Sequence, residues 1–301
     1  FPSVKTLETV TDDPKELNPF SYVMEKHQRN YGGNGKIAKY MQAAYRYPEN
    51  FSDFVYASQL LQADGIRYGV EHYRRNRGRC MGAIYWQLND CWPVISWSSI
   101  DYYGRWKALH YYAKRFFAPV MLSCEEQSWM TVEADMNRQH FEFEKSIRLN
   151  VTNETLDAHR VLVKWAVRKT DATILREEEQ WLEVPVLSAV WMDKVELPQI
   201  DCFNEYVSYE AWENDQIISQ GTVIFSYPKY FHYLNPGLAV RVDGDEIVVK
   251  AEAYAKSVEI RNENDDLILE DNYFDMNAGE YRVKILDGKP DGLKVRSVYD
   301  I

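Results

Sequence analysis

The chain has 301 residues, of which 46% are hydrophobic and 14% aromatic, with 35 basic and 46 acidic side chains. This length accommodates two or three domains, and no run of about 18 apolar residues marks a membrane span. The net charge of −11 argues against a nucleic-acid or anionic-membrane partner, because both attract basic surfaces. An acidic globular protein is therefore expected, and its charge is compatible with a neutral substrate.

The cysteines and the short glycosylation triplets give little information about the class of protein or its compartment. The cysteines are Cys80, Cys91, Cys124 and Cys202. Their spacing matches no zinc pattern and no dense disulfide framework, which favours free thiols. Three triplets, starting at Asn50, Asn150 and Asn153, match the N-glycosylation pattern. Such triplets arise often by chance, so they do not assign a compartment.

Helical periodicity dominates the first part of the chain. Apolar residues recur on one face over 34–46, which predicts a helix there. A longer helix is predicted over 52–76, with Ser52 as its N-cap and apolar side chains at intervals of three and four.

A strand and a last helix are predicted to follow. The apolar run 81–86 is typical of a short strand buried on both faces. The last helix is predicted over 103–117, with Asp101 at its N-terminal end and Pro119 beyond its last residue. The order helix–strand–helix suits the end of a (β/α)8 barrel, although one strand cannot close such a barrel.

The hydrophobic period shortens to about two residues after Pro119. Apolar residues alternate with polar residues over 147–151, 161–167 and 207–211. Strands at this spacing, without long helices between them, predict an antiparallel β-sandwich over 119–226.

The last part of the chain carries the pattern of a second, smaller sandwich. Residues 238–249 hold two alternating runs around an Asp-Gly-Asp turn, which predicts a β-hairpin. Further alternating runs lie at 258–260 and 281–285. A second sandwich is therefore placed at 227–301.

The most informative segment reads Met-Gly-Ala-Ile-Tyr-Trp-Gln-Leu-Asn-Asp-Cys-Trp-Pro over 81–93. An apolar run ends in Trp86, and polar side chains follow before a second tryptophan. An indole offers a flat face to the C–H side of a sugar ring, while amides and carboxylates bind its hydroxyl groups. The segment therefore favours the rim of a sugar site.

Together with residues 98–117, this segment resembles the last strand and helix of the catalytic barrel in β-mannosidases of glycoside hydrolase family 2. Phe1–Ser3 resembles the end of the family's nucleophile motif, and Asp271–Asp275 resembles a motif of its last domain. The resemblance implies that the nucleophile and the acid/base glutamate both lie upstream of Phe1. The chain is therefore expected to be the C-terminal part of a larger enzyme and to be inactive alone.

The resemblance also implies a multidomain architecture. Residues 1–118 would form the C-terminal part of a (β/α)8 TIM barrel. Residues 119–226 and 227–301 would form two immunoglobulin-like β-sandwich domains, the second smaller than the first.

Three residues are the main candidates for substrate binding. The resemblance implies that Trp86 forms the floor or wall of the subsite for the reacting sugar, with a cis peptide bond between Trp86 and Gln87. Asn89 and Asp90 follow on the next loop, where each could bind substrate or hold Trp86 in place. Both interpretations stay open for both residues.

Further candidates surround this loop in the sequence, namely Trp92, Trp97, His27, Gln28 and Asn34. The two tryptophans are interpreted as packing residues that shape the loop, with sugar contact as the alternative. The other three could line the aglycone side of the site. Retaining hydrolysis uses two carboxyl groups about 5–5.5 Å apart, so no metal and no cofactor are expected.

The leading hypothesis for the parent protein is a retaining exo-β-mannosidase that releases terminal non-reducing β-D-mannose from oligosaccharides or glycoconjugates through a covalent glycosyl-enzyme. The expected partners are a β-mannoside oligosaccharide and the N-terminal part of the enzyme. One alternative is another family 2 glycosidase, an exo-β-glucosaminidase or a β-galactosidase. A second alternative is a non-catalytic carbohydrate-binding or scaffold protein.

Overall fold

The computed structural model describes residues 1–131 and 143–301, and the chain divides into two compact units. The segments of the first unit are Phe1–Arg67, Ile84–Ala113 and Asn235–Ile301. The segments of the second unit are Tyr68–Ala83 and Lys114–Leu234. Each unit therefore combines helical or loop segments from the first part of the chain with β-structure from the later part. The predicted domain boundaries after residues 118 and 226 stay predictions.

The α-helices of the described residues all lie in the first 116 residues. Their bounds, α1 to α5, are Val4–Leu7, Tyr22–Lys26, Gly33–Ala44, Phe51–Arg75 and Ala108–Phe116. Short 3-10 helices occupy Pro14–Glu16, Pro228–Tyr230 and Val298–Asp300. The predicted helices over 34–46 and 52–76 are confirmed within two residues at each end.

The N-cap of α4 differs from the prediction. The side-chain oxygen of Asn50 accepts the N–H of Asp53 at 2.9 Å, so Asn50 is the capping residue. Ser52 lies inside the first turn, where its hydroxyl accepts a hydrogen bond from Arg296 at 3.1 Å. The cap role predicted for Ser52 is therefore wrong, because an asparagine two residues earlier already satisfies the helix terminus.

The last helix starts five residues later than predicted, at Ala108. The carboxylate of Asp101 accepts the N–H groups of Tyr103 at 2.9 Å and Arg105 at 3.0 Å. These bonds close a turn in which Gly104 has a φ of +83°. The interpretation of Asp101 as a residue at the helix N-terminus is therefore wrong, since its side chain stabilises a turn that excludes helix.

The predicted strand over 81–86 is absent from the structure. A β-ladder needs a neighbouring backbone, and the described part of the chain pairs none with this segment. Ile84 in its middle is 100% exposed. The barrel therefore remains an inference from the family resemblance.

The first sandwich belongs to the second unit. Its strands, β1 to β8, are Val120–Gln127, Ser146–Asn153, His159–Lys169, Ile174–Val184, Ser188–Trp191, Val195–Glu196, Glu205–Glu213 and Gln216–Ile224. One antiparallel sheet has the order β1-β2-β5, with β6 also paired to β2, and the other has the order β4-β3-β7-β8. Alternate residues of both sheets, such as Leu149 and Val163, share one core. The predicted period-two strands are thus confirmed.

The second sandwich belongs to the first unit. Its strands, β9 to β15, are Ala239–Asp243, Glu246–Ala251, Ala255–Arg261, Ile268–Leu269, Phe274–Met276, Gly279–Asp287 and Lys294–Arg296. The two sheets have the orders β12-β14-β10-β9 and β13-β11-β15. The predicted hairpin is confirmed, because Asp243 pairs with Glu246 across a two-residue turn in which Gly244 has a φ of +67°.

The Asp271–Asp275 motif anchors β11. The buried side chain of Asn272 accepts the N–H of Ile260 and donates to its C=O, both at 2.8 Å. Asp275 accepts the N–H of Ser257 at 2.8 Å. The motif therefore satisfies backbone groups of β11 that strand pairing leaves without a partner.

A buried polar cluster joins α4 to this sandwich within the first unit. The hydroxyl of Tyr56 donates to the C=O of Ser257 at 2.5 Å. The guanidinium of Arg296 donates to Asp53 at 2.9 Å and also pairs with buried Glu259. Burial alone would raise the pKa of Glu259, but the charge and hydrogen bond of Arg296 outweigh it and lower the pKa.

The structure shows the state of the cysteines and the burial of the asparagines in the glycosylation triplets. All four thiols are free, as predicted. The side chains of Asn150 and Asn153 are fully buried, and Asn153 donates to the C=O groups of Asp157 and Pro185. Among the asparagines of the three triplets, Asn50 alone has an exposed side chain.

Asn272→Ala would remove both hydrogen bonds to Ile260 and leave two buried backbone groups without a partner. Each such group costs about 1–3 kcal/mol, so we expect the free energy of unfolding to fall by about 2–4 kcal/mol. Urea denaturation followed by tryptophan fluorescence measures this loss. The matched control is Asn264→Ala at an exposed loop position, with an expected change below about 0.5 kcal/mol. Equal losses in the two variants would contradict the anchoring role.

Candidate functional site

The loop that follows Trp86 is folded against the segment around Ser99. Trp86 and Gln87 are joined by a cis peptide bond, as expected. The N–H of Gln87 donates to the C=O of Trp97 at 3.3 Å, and its C=O accepts the N–H of Ser99 at 3.0 Å. Asn89 continues this pairing with Ile100. The backbone after Trp86 is therefore held along one side by hydrogen bonds.

The buried side chain of Asp90 holds this loop in place through hydrogen bonds. Its side chain is buried, and its two oxygens accept the hydroxyl groups of Ser96 at 2.6 Å and Ser98 at 2.5 Å. The side-chain amide of Gln87 donates to the same carboxylate at 3.3 Å. Lys107 lies 3.9 Å from Asp90 and donates to Ser98 at 2.7 Å. Of the two interpretations of Asp90, this geometry favours support of the Trp86 loop.

Lys107 is a buried cation, with 1% of its surface exposed. Burial lowers the pKa of its ammonium group from 10.5 to about 8, although the nearby carboxylates of Asp90 and Asp101 oppose this shift. The ammonium group is therefore mostly protonated at neutral pH, although it is poorly hydrated. The hydrogen bonds of Lys107 and Asp90 to serine hydroxyls compensate for part of the lost hydration.

A second chain of hydrogen bonds lies beside the first. The hydroxyl groups of Tyr85 and Ser99 are 2.8 Å apart, and Ser99 Oγ lies 3.2 Å from Nδ1 of His110. Burial lowers the pKa of His110. This chain ties the residue before Trp86 to α5.

The indole rings of the loop lie at the surface. Trp86 is 72% exposed, Trp92 is 39% exposed and Trp97 is 42% exposed. The side chain of Asn89 is also exposed, while its C=O accepts the side-chain amide of Gln87 at 3.0 Å. Trp86 and Asn89 are thus available to a ligand, whereas Asp90 is occupied.

His27 and Trp92 lie together. Nδ1 of His27 is 2.6 Å from the C=O of Pro93, and its ring centroid is 5.2 Å from that of Trp92. The C=O of His27 accepts the N–H of Ile95 at 2.7 Å. These contacts attach the segment before α3 to the Trp92 turn.

Gln28 and Asn34 form a separate pair. The amide of Gln28 donates to Oδ1 of Asn34 at 2.6 Å, and the buried amide of Asn34 donates to the C=O of Pro19 at 2.7 Å. Both side chains therefore hold the α3 entry in place. The structure joins these two residues to each other, in a cluster separate from the Asp90 network.

Sequence reasoning missed the residues that support the loop, which are Ser96, Ser98, Ser99 and Lys107. Two serines spaced two apart after an aspartate are a signal for such support, but this pattern is common in turns. Lys107 lies in the segment predicted as helix, where a lysine is ordinarily solvated. Its burial depends on the three-dimensional course of 90–107.

The first two acids after Trp86 in the sequence, Asp90 and Asp101, both accept structural hydrogen bonds. Asp90 accepts the bonds described above, and Asp101 accepts the hydroxyl of Thr6 at 2.5 Å in addition to two backbone N–H groups. Neither is placed as the nucleophile or acid of a retaining pair.

Across 1–131 and 143–301, no three His, Cys, Asp or Glu side chains group as metal ligands. Among the described helices, none is long and apolar enough to cross a membrane.

Comparisons with known proteins place these features in a family. A model described as "Mannosidase Ig/CBM-like domain" matches residues 145–230, and one described as "Ig-fold domain" matches 233–301. β-Mannosidase B of Thermothelomyces thermophilus is 28% identical over 99% of the chain and 37% of its own length. β-Mannosidase of Capra hircus is 37% identical over 40% of the chain and 15% of its own length.

Solved structures show the same fold. The β-D-mannosidase of Dictyoglomus thermophilum superposes with a TM-score of 0.82 at 24% identity, over 98% of this chain and 36% of its own. The chain resembles the C-terminal part of glycoside hydrolase family 2 β-mannosidases. The exo-chitosanase of Amycolatopsis orientalis has a TM-score of 0.67 at 15% identity, over 99% of this chain and 41% of its own. The family resemblance and the immunoglobulin-like character of both sandwiches are therefore confirmed, and the chain spans little more than a third of such relatives.

The burial of Lys107 predicts a pH-dependent stability. Its pKa is about 8 in the folded chain against an ordinary 10.5, so between these values the unfolded chain binds more protons. The free energy of unfolding therefore rises with pH in this window. The contribution of Lys107 grows by about 2 kcal/mol between about pH 8 and pH 10.

Lys107→Met removes this titration. We expect the difference in unfolding free energy, wild type minus variant, to increase by that amount over the window when urea denaturation is repeated at each pH. Lys36→Met, at an exposed position in the same unit, is the control and should give a constant difference. A constant difference for Lys107→Met as well would contradict the burial of a charged lysine.

Proposed function

We propose that this chain is the C-terminal part of a retaining exo-β-mannosidase, which releases terminal non-reducing β-D-mannose from oligosaccharides or glycoconjugates. Residues 1–118 contribute the end of the (β/α)8 catalytic barrel, and 119–226 and 227–301 form the accessory sandwiches. The names of the curated relatives, together with the fold shared with a solved β-D-mannosidase, support this assignment.

The observation that carries the proposal is an exposed indole on a rigid support. Trp86 is 72% exposed, whereas Asp90, four residues later, is buried and bonded to two serines. A sugar subsite needs an apolar wall whose position does not change when the substrate binds. Trp86 supplies that wall, and the exposed Asn89 amide hydrogen-bonds a hydroxyl of the sugar.

The other candidates have supporting roles in this proposal. Asp90 positions the Trp86 loop, and Trp97 contributes both its exposed ring and the C=O that holds Gln87. His27 orients Trp92 on the aglycone side. Gln28 and Asn34 hold the entry of α3 on the same side and do not contact the sugar, because each is bonded to the other.

The two catalytic carboxyl groups come from outside this chain. In a retaining glycosidase one glutamate attacks the anomeric carbon and a second protonates the leaving oxygen, then activates the water that releases the sugar. Asp90 and Asp101 are committed to structural hydrogen bonds and do not replace them. The N-terminal part of the enzyme supplies both glutamates and the strands that pair with 81–86. The isolated chain therefore binds sugar weakly and hydrolyses none, and the reaction needs no cofactor.

Trp86→Ala, made in a polypeptide that also includes the upstream glutamates, should lower kcat/KM for 4-nitrophenyl β-D-mannoside by on the order of 100-fold, because the apolar wall of the subsite is lost. Asn89→Ala should lower it by about tenfold. The control is Trp191→Ala on β5, where the indole is covered by Arg148 at 4.6 Å, and it should keep full activity. Full activity in the Trp86→Ala enzyme would show that Trp86 does not form the subsite.

The 301-residue chain alone should not hydrolyse 4-nitrophenyl β-D-mannoside, because it lacks both catalytic glutamates. Hydrolysis by this chain would contradict the expected inactivity.

The identity of the sugar is tested with the same polypeptide. We expect 4-nitrophenyl β-D-mannoside to be hydrolysed faster than the corresponding β-glucosaminide and β-galactoside. A preference for the glucosaminide would keep the family and the role of Trp86 but replace the substrate. Absence of hydrolysis of all three would favour a carbohydrate-binding or scaffold protein.

A further inference from the structure

The outer face of the β4-β3-β7-β8 sheet carries a row of apolar side chains. Along β3, Val161 and Val163 point into the core, so Leu162 between them points outward. Leu162 pairs with Trp181 on β4 and with Trp212 on β7. Trp212 pairs in turn with Ile217 on β8. These four residues, here called the tryptophan row, cross the whole width of the sheet.

The two indoles of this row are spaced like alternate sugar rings of an extended chain, which lie one disaccharide unit apart. Trp181 and Trp212 are two strand spacings apart, which places their Cα atoms about 10 Å from each other. That distance is close to the span of a disaccharide unit in an extended, β-linked chain. Trp181 is 53% exposed although it lies on a regular strand, and Ile217 is also exposed. Trp212 is half-buried and lies in register with the exposed Trp181 on the same face of the sheet. Aromatic side chains in register on the solvent-facing side of a sheet indicate a ligand surface.

Charged groups beside the row are balanced. Arg160 lies 3.4 Å from Glu183, and Lys164 lies 3.6 Å from Glu179. All of these side chains are largely exposed, so they supply hydrogen bonds at small desolvation cost. Both of these positive charges have a negative partner, so the row has no excess positive charge that would attract a polyanion. The face therefore suits a neutral polar ligand.

The charged groups also orient the rings. The guanidinium of Arg160 lies 4.5 Å from the ring centroid of Trp181, and the ammonium of Lys164 lies 5.3 Å from that of Trp212. The indole N–H of Trp212 donates to Glu210 at 2.8 Å. Arg160 and Lys164 are long, exposed side chains that move aside when a sugar stacks on the indole.

An open groove of about 360 Å³ adjoins the tryptophan row. Its lining includes Lys164, Ala166, Arg168, Glu179, Ser208 and Glu210. This lining combines two small residues with carboxylate, ammonium, guanidinium and hydroxyl groups. This combination accepts a polar chain that continues beyond the two indoles.

We propose that this face binds a neutral, β-linked oligosaccharide chain, with alternate sugars on Trp181 and Trp212 and hydroxyl groups of the chain bonded to Glu179, Glu210 and Lys164. The family model described as "Mannosidase Ig/CBM-like domain" matches a range that includes all four strands, and its description agrees with a carbohydrate ligand. The site shares no residue with the Trp86 loop, and binding there needs no catalysis. Its failure would therefore leave the proposed hydrolase function untouched.

The test is affinity electrophoresis of the 301-residue chain in native gels that contain soluble galactomannan. The wild-type chain should migrate more slowly than in a plain gel. Trp181→Ala and Trp212→Ala should each weaken binding by about tenfold, because each removes one stacking surface. Trp181→Phe and Trp212→Phe keep an aromatic face and should retain most of the retardation. Unchanged circular dichroism identifies the variants that fold.

A matched control locates the binding. Trp191→Ala on the other sheet should bind as well as the wild type, whereas Trp86→Ala measures the share of retardation that comes from the weak loop site and should keep most of it. Loss of retardation in Trp86→Ala with normal retardation in Trp181→Ala would assign the binding to the loop and overturn the proposal.

Three further results would also overturn it. The first is no retardation in galactomannan, and the second is stronger retardation in alginate, an acidic polysaccharide. The third is a concentration-dependent dimer, seen by sedimentation equilibrium and abolished in both alanine variants, because the face would then be covered by a second copy of the chain.

Discussion

The loop that carries Trp86 depends on one buried ion pair. Burying a carboxylate and an ammonium group costs several kcal/mol each, and the pair is stable only when hydrogen bonds satisfy the remaining lone pairs and protons. Asp90 and Lys107 meet this condition through Ser96 and Ser98. The backbone between residues 87 and 107 must therefore follow one course. An indole at the edge of this loop can be exposed and still keep a fixed position.

Sequence reasoning was most accurate where structure follows from local periodicity. Alternation within single strands, as around Val163, identified both sandwiches, and the Asp243–Glu246 hairpin followed from its turn residues. Sequence reasoning was wrong where the local structure depends on a partner that is distant in the sequence. The run 81–86 has the composition of a strand but no neighbouring strand among the described residues, and the hydrogen bonds of Asp101 delay the last helix. The exposure of Trp86 followed from its motif, whereas the burial of Lys107 depends on tertiary structure.

The chain presents exposed or half-buried tryptophans on two kinds of support. Around Trp86 the backbone is irregular, so side-chain hydrogen bonds and a buried charge pair determine where the ring lies. On the β4-β3-β7-β8 sheet the strand register alone places Trp181 and Trp212 on one face. The first arrangement suits a single sugar that must be held in one pose for chemistry. The second suits a repeating ligand, because the spacing between strands is itself regular.

The cluster of Tyr56, Arg296 and Glu259 has a consequence for biosynthesis. Tyr56 reaches a backbone group 201 residues later in the chain, and Asp53 pairs with a side chain 243 residues later. Contacts of such long range form slowly, and a growing chain cannot form them until its last strands have left the ribosome. The first sandwich, whose strands are contiguous, can mature earlier. Residues 235–301 therefore complete the packing of a helical segment that is synthesised well before them, and a ribosome that stops before residue 235 would release that segment without its polar partners.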